Sequence, residues 1–332
     1  MERKRACVTG GTGYVGSMLV KRLLEKGYAV NATVRRPVNN EKVSHLLDLQ
    51  VLGDLKLFKA NLTEEGSFDD AINGCDFVFH VATPVQLESQ DQENDIIKPS
   101  INGMLNVLKS CVKAKTVRRV VCTSSGSAVS LNRLTGTGHV VDEESWTDIE
   151  YLTSEKPPVW GYAVSKVLAE KAAWKFAEEN NLNLITLAPV LIAGPSLTPE
   201  VPWSVRLALS LLIGNEHMIN SLKRKQLISG SISLVHVEDV CRAHIFVAEN
   251  ESASGRYICC AVNTCVPELA KFLSERYPPY NVLTDFGDFP ENPKLSISSE
   301  KLIKAGFSYN YGIEEMYDES VEYLRAVGML SN

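Results

Sequence analysis

The sequence predicts an α/β protein built on a doubly wound parallel sheet, and three observations predict it. First, Ala6 to Thr9 is a short apolar run joined by Gly10-Gly11-Thr12-Gly13 to a stretch, Tyr14 to Lys26, with apolar residues at helical spacing. Second, strand-like and helix-like segments keep alternating as far as Gly194-Pro195, the pattern of parallel strands joined by right-handed crossovers. Third, a strand-like run ending in serines, Arg118 to Ser124, is followed one helix later by Tyr162-x-x-x-Lys166, a spacing that occurs once in the chain. A Rossmann-type sheet of this kind collects its ligand at the carboxyl ends of its strands. Segments after Gly194 break the alternation and predict a smaller, interleaved C-terminal lobe.

The glycine turn is the first candidate site. Glycines 10, 13 and 16 permit a tight turn and close backbone approach, and the free N–H groups at the start of the following helix attract phosphate. Gly10, Thr12, Gly13, Tyr14, Val15 and Gly16 are therefore candidate dinucleotide contacts. A merely structural strand-to-helix turn would use the same residues, so the rest of the chain has to decide.

The second strand, Tyr28 to Val34, ends in Arg35-Arg36-Pro37. About 20 residues past such glycines an NAD-binding protein usually carries an acid for the ribose hydroxyls, whereas a guanidinium pairs with a 2′-phosphate. NADP(H) is thus expected as the cofactor, held by Arg35. Lys42 would add to that site, and reads equally as a solvated surface charge. Leu55 to Ala60 is a third strand, with Asn61-Leu62 placed to meet an adenine edge. Glu64 to Asn73 reads as a helix, Asp76 to Ala82 as a strand running into Thr83-Pro84, and Asp95 to Lys115 as a long amphipathic helix. His80, inside a strand pattern, reads as a core histidine rather than a catalyst.

A polar, irregular insertion from Ser130 to Pro158 follows the fifth strand; insertions of that length in compact domains are usually functional loops. The helix opened by Trp160 puts Tyr162 and Lys166 on one face, since residues four apart lie one above the other. An adjacent ammonium favours the phenolate of a tyrosine and moves it toward the working range, and a serine hydroxyl can hold the reacting oxygen. Ser125, Tyr162 and Lys166 are the candidate catalytic residues. Tyr162 and Lys166 are also candidate cofactor contacts, as is Pro189, which closes a sixth strand, Leu182 to Pro189.

Beyond Gly194-Pro195, Val201 to Gly214 reads as an apolar helix and Leu227 to His236 as a partly alternating strand. Val237 to Glu249 reads as a helix, Gly255 to Cys260 as a strand, and Pro267 to Tyr277 and Ile313 to Ala326 as amphipathic helices. His236 reads as a structural hydrogen-bonder. The expected organisation is a dinucleotide domain over residues 1–194 plus about 226–260, and a substrate lobe from 195–225 and 261–332.

Composition narrows the function classes. The chain has 332 residues, 45% hydrophobic and 22% charged, with a net charge of −6. Its basic clusters are short and scattered, which argues against nucleic acid or an anionic membrane as the main partner. No apolar run approaches the roughly 18 residues of a membrane span, and Met1 to Arg5 is too polar and short for a signal peptide, so a cytoplasmic protein is expected. The 8 cysteines show no C-x-x-C pair and read as reduced core residues, with no metal site expected.

With Thr9-Gly10-Gly11-Thr12-Gly13-Tyr14-Val15-Gly16, Thr123-Ser124-Ser125 and Tyr162-x-x-x-Lys166 in this order, the chain resembles the extended short-chain dehydrogenase/reductases. It is similar, more narrowly, to the plant flavonoid reductases, through His80-Val81-Ala82-Thr83-Pro84, Asn94-Asp95-Ile96-Ile97-Lys98-Pro99 and His236-Val237-Glu238-Asp239-Val240. Gly136-Thr137-Gly138, Trp146-Thr147-Asp148-Ile149-Glu150 and Leu227-Ile228-Ser229-Gly230-Ser231 look like the anthocyanidin reductase branch. In the dihydroflavonol 4-reductase branch the position five past the catalytic serine commonly holds an Asn that meets the flavonoid B ring; here it is Ser130.

The resemblance implies NADPH-dependent reduction of a coloured anthocyanidin of the cyanidin or delphinidin type to a flavan-3-ol of the epicatechin type. It implies that Thr12 to Val15 cover the pyrophosphate, Arg35 and Lys42 hold the 2′-phosphate, Asn61 and Leu62 border the adenine, and Val81, Ala82, Thr83 and Pro84 line the ribose and nicotinamide. Arg36 stands where relatives often have Asp, which strengthens selection of NADP. Reduction of a dihydroflavonol or related ketone is the competing activity, and an idle NADP-binding sensor the competing class, disfavoured by the intact Ser125, Tyr162 and Lys166.

Overall fold

The computed structural model describes residues 3–35, 43–84, 89–133 and 137–331. In chain order the first half runs β1 (Arg5–Thr9), α1 (Tyr14–Glu25), β2 (Ala29–Val34), α2 (Ser44–Leu47), β3 (Leu55–Lys59), α3 (Asp69–Ile72), β4 (Phe77–His80), α4 (Lys98–Ala114), β5 (Arg119–Thr123), β6 (His139–Val141), α5 (Ile149–Glu155), α6 (Trp160–Glu179) and β7 (Leu184–Pro189). The second half runs β8 (Leu191–Ala193), α7 (Trp203–Ala208), α8 (Ser210–Ile213), α9 (Glu216–Ser229), β9 (Ile232–His236), α10 (Val237–Glu249), β10 (Gly255–Cys259), β11 (Val262–Thr264), α11 (Val266–Arg276), β12 (Leu295–Ile297), α12 (Glu300–Lys304) and α13 (Ile313–Ala326).

The central sheet has the order β10-β7-β5-β4-β1-β2-β3, and every pairing in it is parallel. Its strands are continuous apolar runs because both faces are covered: Ala6, Cys7, Val8, Val78, Phe79, Val120, Val121 and Cys122 are all buried. The chain winds outward through β2 and β3, returns to β4 and winds the other way. The switch point therefore falls between β1 and β4, where a crevice opens at the carboxyl ends.

Two smaller sheets flank it. β8 and β9 are parallel, with β11 antiparallel to β9, and β6 pairs in parallel with β12. A second apolar core joins Leu207, Leu211, Leu222, Ile232, Leu269, Tyr317 and Leu324 from the later segments. Buried Asp239 ties the C-terminal part to α10 by accepting the N–H groups of Asn310 and Tyr311. The 8 cysteines are buried free thiols. Among the described residues no helix is long and apolar enough to cross a membrane.

The insertion expected to be irregular, 130–158, carries β6 and α5, the latter capped by Asp148, and four further elements differ from the sequence expectation. The segment 64–73 is helical only over Asp69–Ile72, because Gly66 takes φ +81° and the chain first turns around Asn61, whose side chain accepts the Thr63 N–H. The long helix expected from Asp95 begins as a single π turn, Glu93–Ile97, before α4. The apolar stretch 201–214 is split into α7 and α8. The Tyr317 hydroxyl donates to the Ala208 carbonyl, 2.8 Å, the acceptor a continuous helix would offer Leu212, whose N–H goes to Leu209 instead.

The fourth difference is the largest. Leu227 to Ser229 is not strand but the end of α9, which starts with the Asn215 side chain accepting the Met218 N–H and stops at Gly230, φ +79°. Strand β9 begins only at Ile232.

Candidate active site

The switch-point crevice is a cleft of about 840 Å³. Every described candidate residue from the sequence lines it: Gly10, Thr12, Gly13, Tyr14, Val15, Gly16, Arg35, Asn61, Leu62, Val81, Ala82, Thr83, Pro84, Ser125, Tyr162, Lys166 and Pro189. Arg36 and Lys42 lie outside the described residues.

The glycine turn is a cradle that side chains would fill. A Cβ on Gly16 would lie 2.2 Å from the Gly10 carbonyl oxygen, and Gly10 itself has φ +71° with a Cβ position 3.0 Å from the Ala82 backbone. The helix α1 that follows has no side-chain cap and no acid in its first turn. Its leading N–H groups and positive dipole end face the cleft, which suits a pyrophosphate. Arg35, at the end of β2, is exposed at the cleft wall. These features fit a dinucleotide with a 2′-phosphate. Asn61 is partly committed elsewhere: its amide donates to Glu64, 2.9 Å, and its oxygen holds Thr63.

Histidines fasten the floor. Thr9 Oγ1 accepts the N–H groups of Val81 and Ala82, each at 3.1 Å, and lies 2.8 Å from His80 Nδ1. With two donors already on that oxygen, the threonine hydroxyl donates to a neutral imidazole. Burial pushes His80 down to about 3, with the Lys166 ammonium adding to the effect. His80 thus pins β1 to the loop after β4 at the switch point, as a core histidine. His244 does similar work beneath β5. Its Nδ1 lies 2.8 Å from the Val240 carbonyl, and its Nε2 lies 2.8 Å from Thr123 Oγ1. Burial lowers it to about 4. His236 caps α10 by accepting the Glu238 N–H through Nδ1, and stacks on Tyr311 at 3.8 Å. Burial holds it at about 4, so its 3.3 Å contact with Glu319 joins a neutral ring to an acid.

Ser125, Tyr162 and Lys166 converge from two elements. Ser125 leaves β5 in extended conformation and caps a short 3₁₀ turn, Gly126–Ala128. Its Oγ accepts the Ser127 N–H at 3.2 Å and the Ser127 hydroxyl at 2.9 Å, which leaves its own hydrogen for the cleft. Tyr162 stands in the first turn of α6. Lys166, one turn later and buried, donates through Nζ to the Thr123 carbonyl at 3.3 Å and lies 5.8 Å from the Tyr162 ring centre.

Sequence reading missed two parts of this site. One is a buried network behind the serine turn. Glu170, 1% exposed, accepts from the Ser124 and Thr186 hydroxyls and pairs with Arg256, 6% exposed, whose Nε is 2.9 Å away. The Arg256 guanidinium also reaches the carbonyls of Ala128, Glu143 and Ser145, and lies 3.8 Å above the Trp146 ring. It thereby locks the insertion onto the sheet. The other part is the stripe of α9, namely Ser221, Arg224, Lys225, Ile228 and Ser229, that forms a wall of the cleft. Its spacing of three and four was a helical signal masked by the apolar run that follows. Ser130 also lines the cleft, but its hydroxyl donates to the Gly126 carbonyl, 3.1 Å.

The model of the NAD dependent epimerase/dehydratase family matches residues 6–260. An anthocyanidin reductase of Vitis vinifera, described as (2S)-flavan-3-ol-forming, is 68% identical over 330 residues, 99% of this chain and 98% of that one. A dihydroflavonol 4-reductase of Arabidopsis thaliana is 49% identical over 331 residues, covering 99% and 84%. The crystal structure of vestitone reductase from alfalfa superposes with a TM-score of 0.85 at 39% identity, covering 99% and 100%. The chain therefore belongs to the NAD dependent epimerase/dehydratase family, within the group that contains the plant anthocyanidin reductases.

Proposed function

We propose that this protein reduces anthocyanidins to flavan-3-ols with NADPH. The observation that carries the reading is the convergence of Ser125, Tyr162 and Lys166 on the cleft whose other end is the glycine cradle, in a chain 68% identical to an anthocyanidin reductase. Residues 1–194 with about 226–260 hold the dinucleotide, and 195–225 with 261–332 hold the flavonoid. The cytoplasm is the proposed compartment.

The overall balance fixes what the residues have to supply. A flavylium cation becomes a neutral flavan-3-ol by gaining two hydrides and one proton; its neutral quinoidal base needs two of each. NADPH, when bound, supplies hydride. Gly10 to Gly16 and Arg35 bind and orient it, Val81 to Pro84 and Pro189 border its reactive end, and Lys166 offers the ammonium hydrogens not spent on Thr123 to the ribose. The substrate ring is already electrophilic, so Tyr162 manages the proton at the reduced ring, and Ser125 donates its remaining hydrogen to a substrate oxygen. The test is to give the purified protein NADPH with cyanidin and, separately, with dihydroquercetin, and to identify products chromatographically. A flavan-3-ol from cyanidin is expected; a leucoanthocyanidin from dihydroquercetin with no flavan-3-ol from cyanidin would overturn the reading. Ser130, with its hydroxyl turned to Gly126, lacks the paired amide groups that the dihydroflavonol branch offers a B ring.

Arg35→Ala is expected to weaken NADPH binding roughly 10- to 100-fold, the worth of a charge-assisted contact of about 1.5–3 kcal/mol, while NADH affinity changes little. Fluorescence titration with each dinucleotide checks it; equal losses for both would remove Arg35 from the 2′-phosphate.

A further inference from the structure

One charged group on the cleft wall has no counterpart in the protein. Lys225 lies on the stripe of α9 that faces the cleft, on the same wall as Ile228 and Ser229. Its backbone carbonyl accepts the Ser229 hydroxyl, but its ammonium makes no hydrogen bond or ion pair with the described residues. The groups around it are neutral. The Cys260 thiol is the titratable group that acts on it, and burial holds that thiol up at about 12, so it stays protonated. The Ser233 hydroxyl is committed to Asn263, 2.8 Å. Among the described residues of the cleft wall the single acid is Asp95, which is engaged by the Ser89 hydroxyl on the turn before α4. Arg224 adds a second positive charge to the wall, while neighbouring Lys223 is drawn off over the Phe286 and Phe289 rings.

Lys225 is half-buried at the cleft wall, and an ammonium partly withdrawn from water with no acid beside it is costly. Burial lowers Lys225 to about 8, which still leaves roughly nine tenths of it charged at neutral pH. Arg35 and Lys166 have the dinucleotide to answer them. Lys225 and Arg224 do not, and they share the cleft with Tyr162 and Ser125. A cleft built this way favours a ligand that brings an anionic oxygen and disfavours one that brings a positive charge.

We propose that Lys225 holds a deprotonated phenol oxygen of the flavonoid, and so selects the quinoidal form of the substrate over the flavylium cation. This rests on the activity proposed above and adds a specificity-determining residue to it. The ammonium donates to the quinoidal oxygen that has lost its proton and carries the partial negative charge, which fixes the end of the planar molecule that enters first and leaves the electrophilic ring toward Tyr162.

The test compares the wild-type enzyme with Lys225→Met, which keeps the apolar stem and removes the ammonium, and Lys225→Arg, which keeps the charge. Lys225→Met is expected to raise the KM for cyanidin about 10-fold or more, with the NADPH dissociation constant within about twofold of wild type, and Lys225→Arg to stay within about threefold. The unchanged NADPH affinity shows that the variant is folded. A second reading uses the complex of enzyme, NADP+ and cyanidin, in which no turnover occurs. At a fixed pH near the pigment's first deprotonation, the wild-type complex should absorb more strongly than the free pigment at the longer wavelengths of the quinoidal form, and the Lys225→Met complex should not. A wild-type KM and spectrum in Lys225→Met would overturn the role of Lys225 while leaving the reductase activity standing. Absence of any flavan-3-ol from the wild-type enzyme would overturn the activity itself, whatever the variants do.

Discussion

Tyr162→Phe is expected to lower kcat for cyanidin by about 10²- to 10⁴-fold, the usual contribution of a positioned proton-transfer group, while NADPH affinity stays within a few fold. The substitution removes one oxygen and keeps the ring, so the start of α6 keeps its packing. Lys166 is fixed independently of that oxygen. It bonds the Thr123 carbonyl, and Thr123 is itself held by the neutral His244. The lysine should therefore hold its place on the cleft wall in the variant, which is what makes the prediction a separation of chemistry from binding. Steady-state kinetics with product identification, beside a fluorescence titration with NADPH, reads both. Full turnover in the variant would remove Tyr162 from the chemistry, and a parallel collapse of NADPH affinity would make its role structural.

The second large effect is on stability. Glu170→Ala is expected to cost roughly 3–5 kcal/mol, the penalty of leaving a buried partner charge unpaired, and to lower the melting temperature by on the order of 5–10 °C. Three losses coincide. The Arg256 guanidinium, 6% exposed, loses its counter-charge, and the Ser124 and Thr186 hydroxyls lose their acceptor. Glu170→Gln keeps an acceptor for one of them and should cost less, about 1.5–3 kcal/mol. Because Arg256 also collects the carbonyls of Ala128, Glu143 and Ser145, the damage should spread to the turn that presents Ser125, and kcat should fall in both variants. Chemical denaturation of the three proteins measures the first effect; a change below about 1 kcal/mol in Glu170→Ala would show that water or a rearranged Arg256 replaces the pair.

How much could be read from the chain follows from the range of each interaction. The glycine turn was legible because the requirement is local: Gly16 must lack a Cβ on account of Gly10, six residues away. Tyr162 and Lys166 were legible because one helix turn brings them together. The run Leu227 to His236 was not, because its apolar residues fit a strand pattern until the Asn215 cap and Gly230 stop divide helix from strand. The split of the 201–214 segment depends on Tyr317, more than a hundred residues later.

The sequence by itself determined the sheet, the glycine turn at its switch-point edge and the serine–tyrosine–lysine group that lines the same cleft, all set by backbone requirements and helical spacing within single βα units. Only the tertiary structure decided what surrounds them. His80, His244 and Glu170 find their partners across the sheet, Arg256 binds an insertion more than a hundred residues upstream, and α9 turns Lys225 into the cleft without an acid to answer it. Those choices rest on burial, which makes an unpaired polar group costly wherever the chain happens to bring it, and burial is not encoded in any local run of residues.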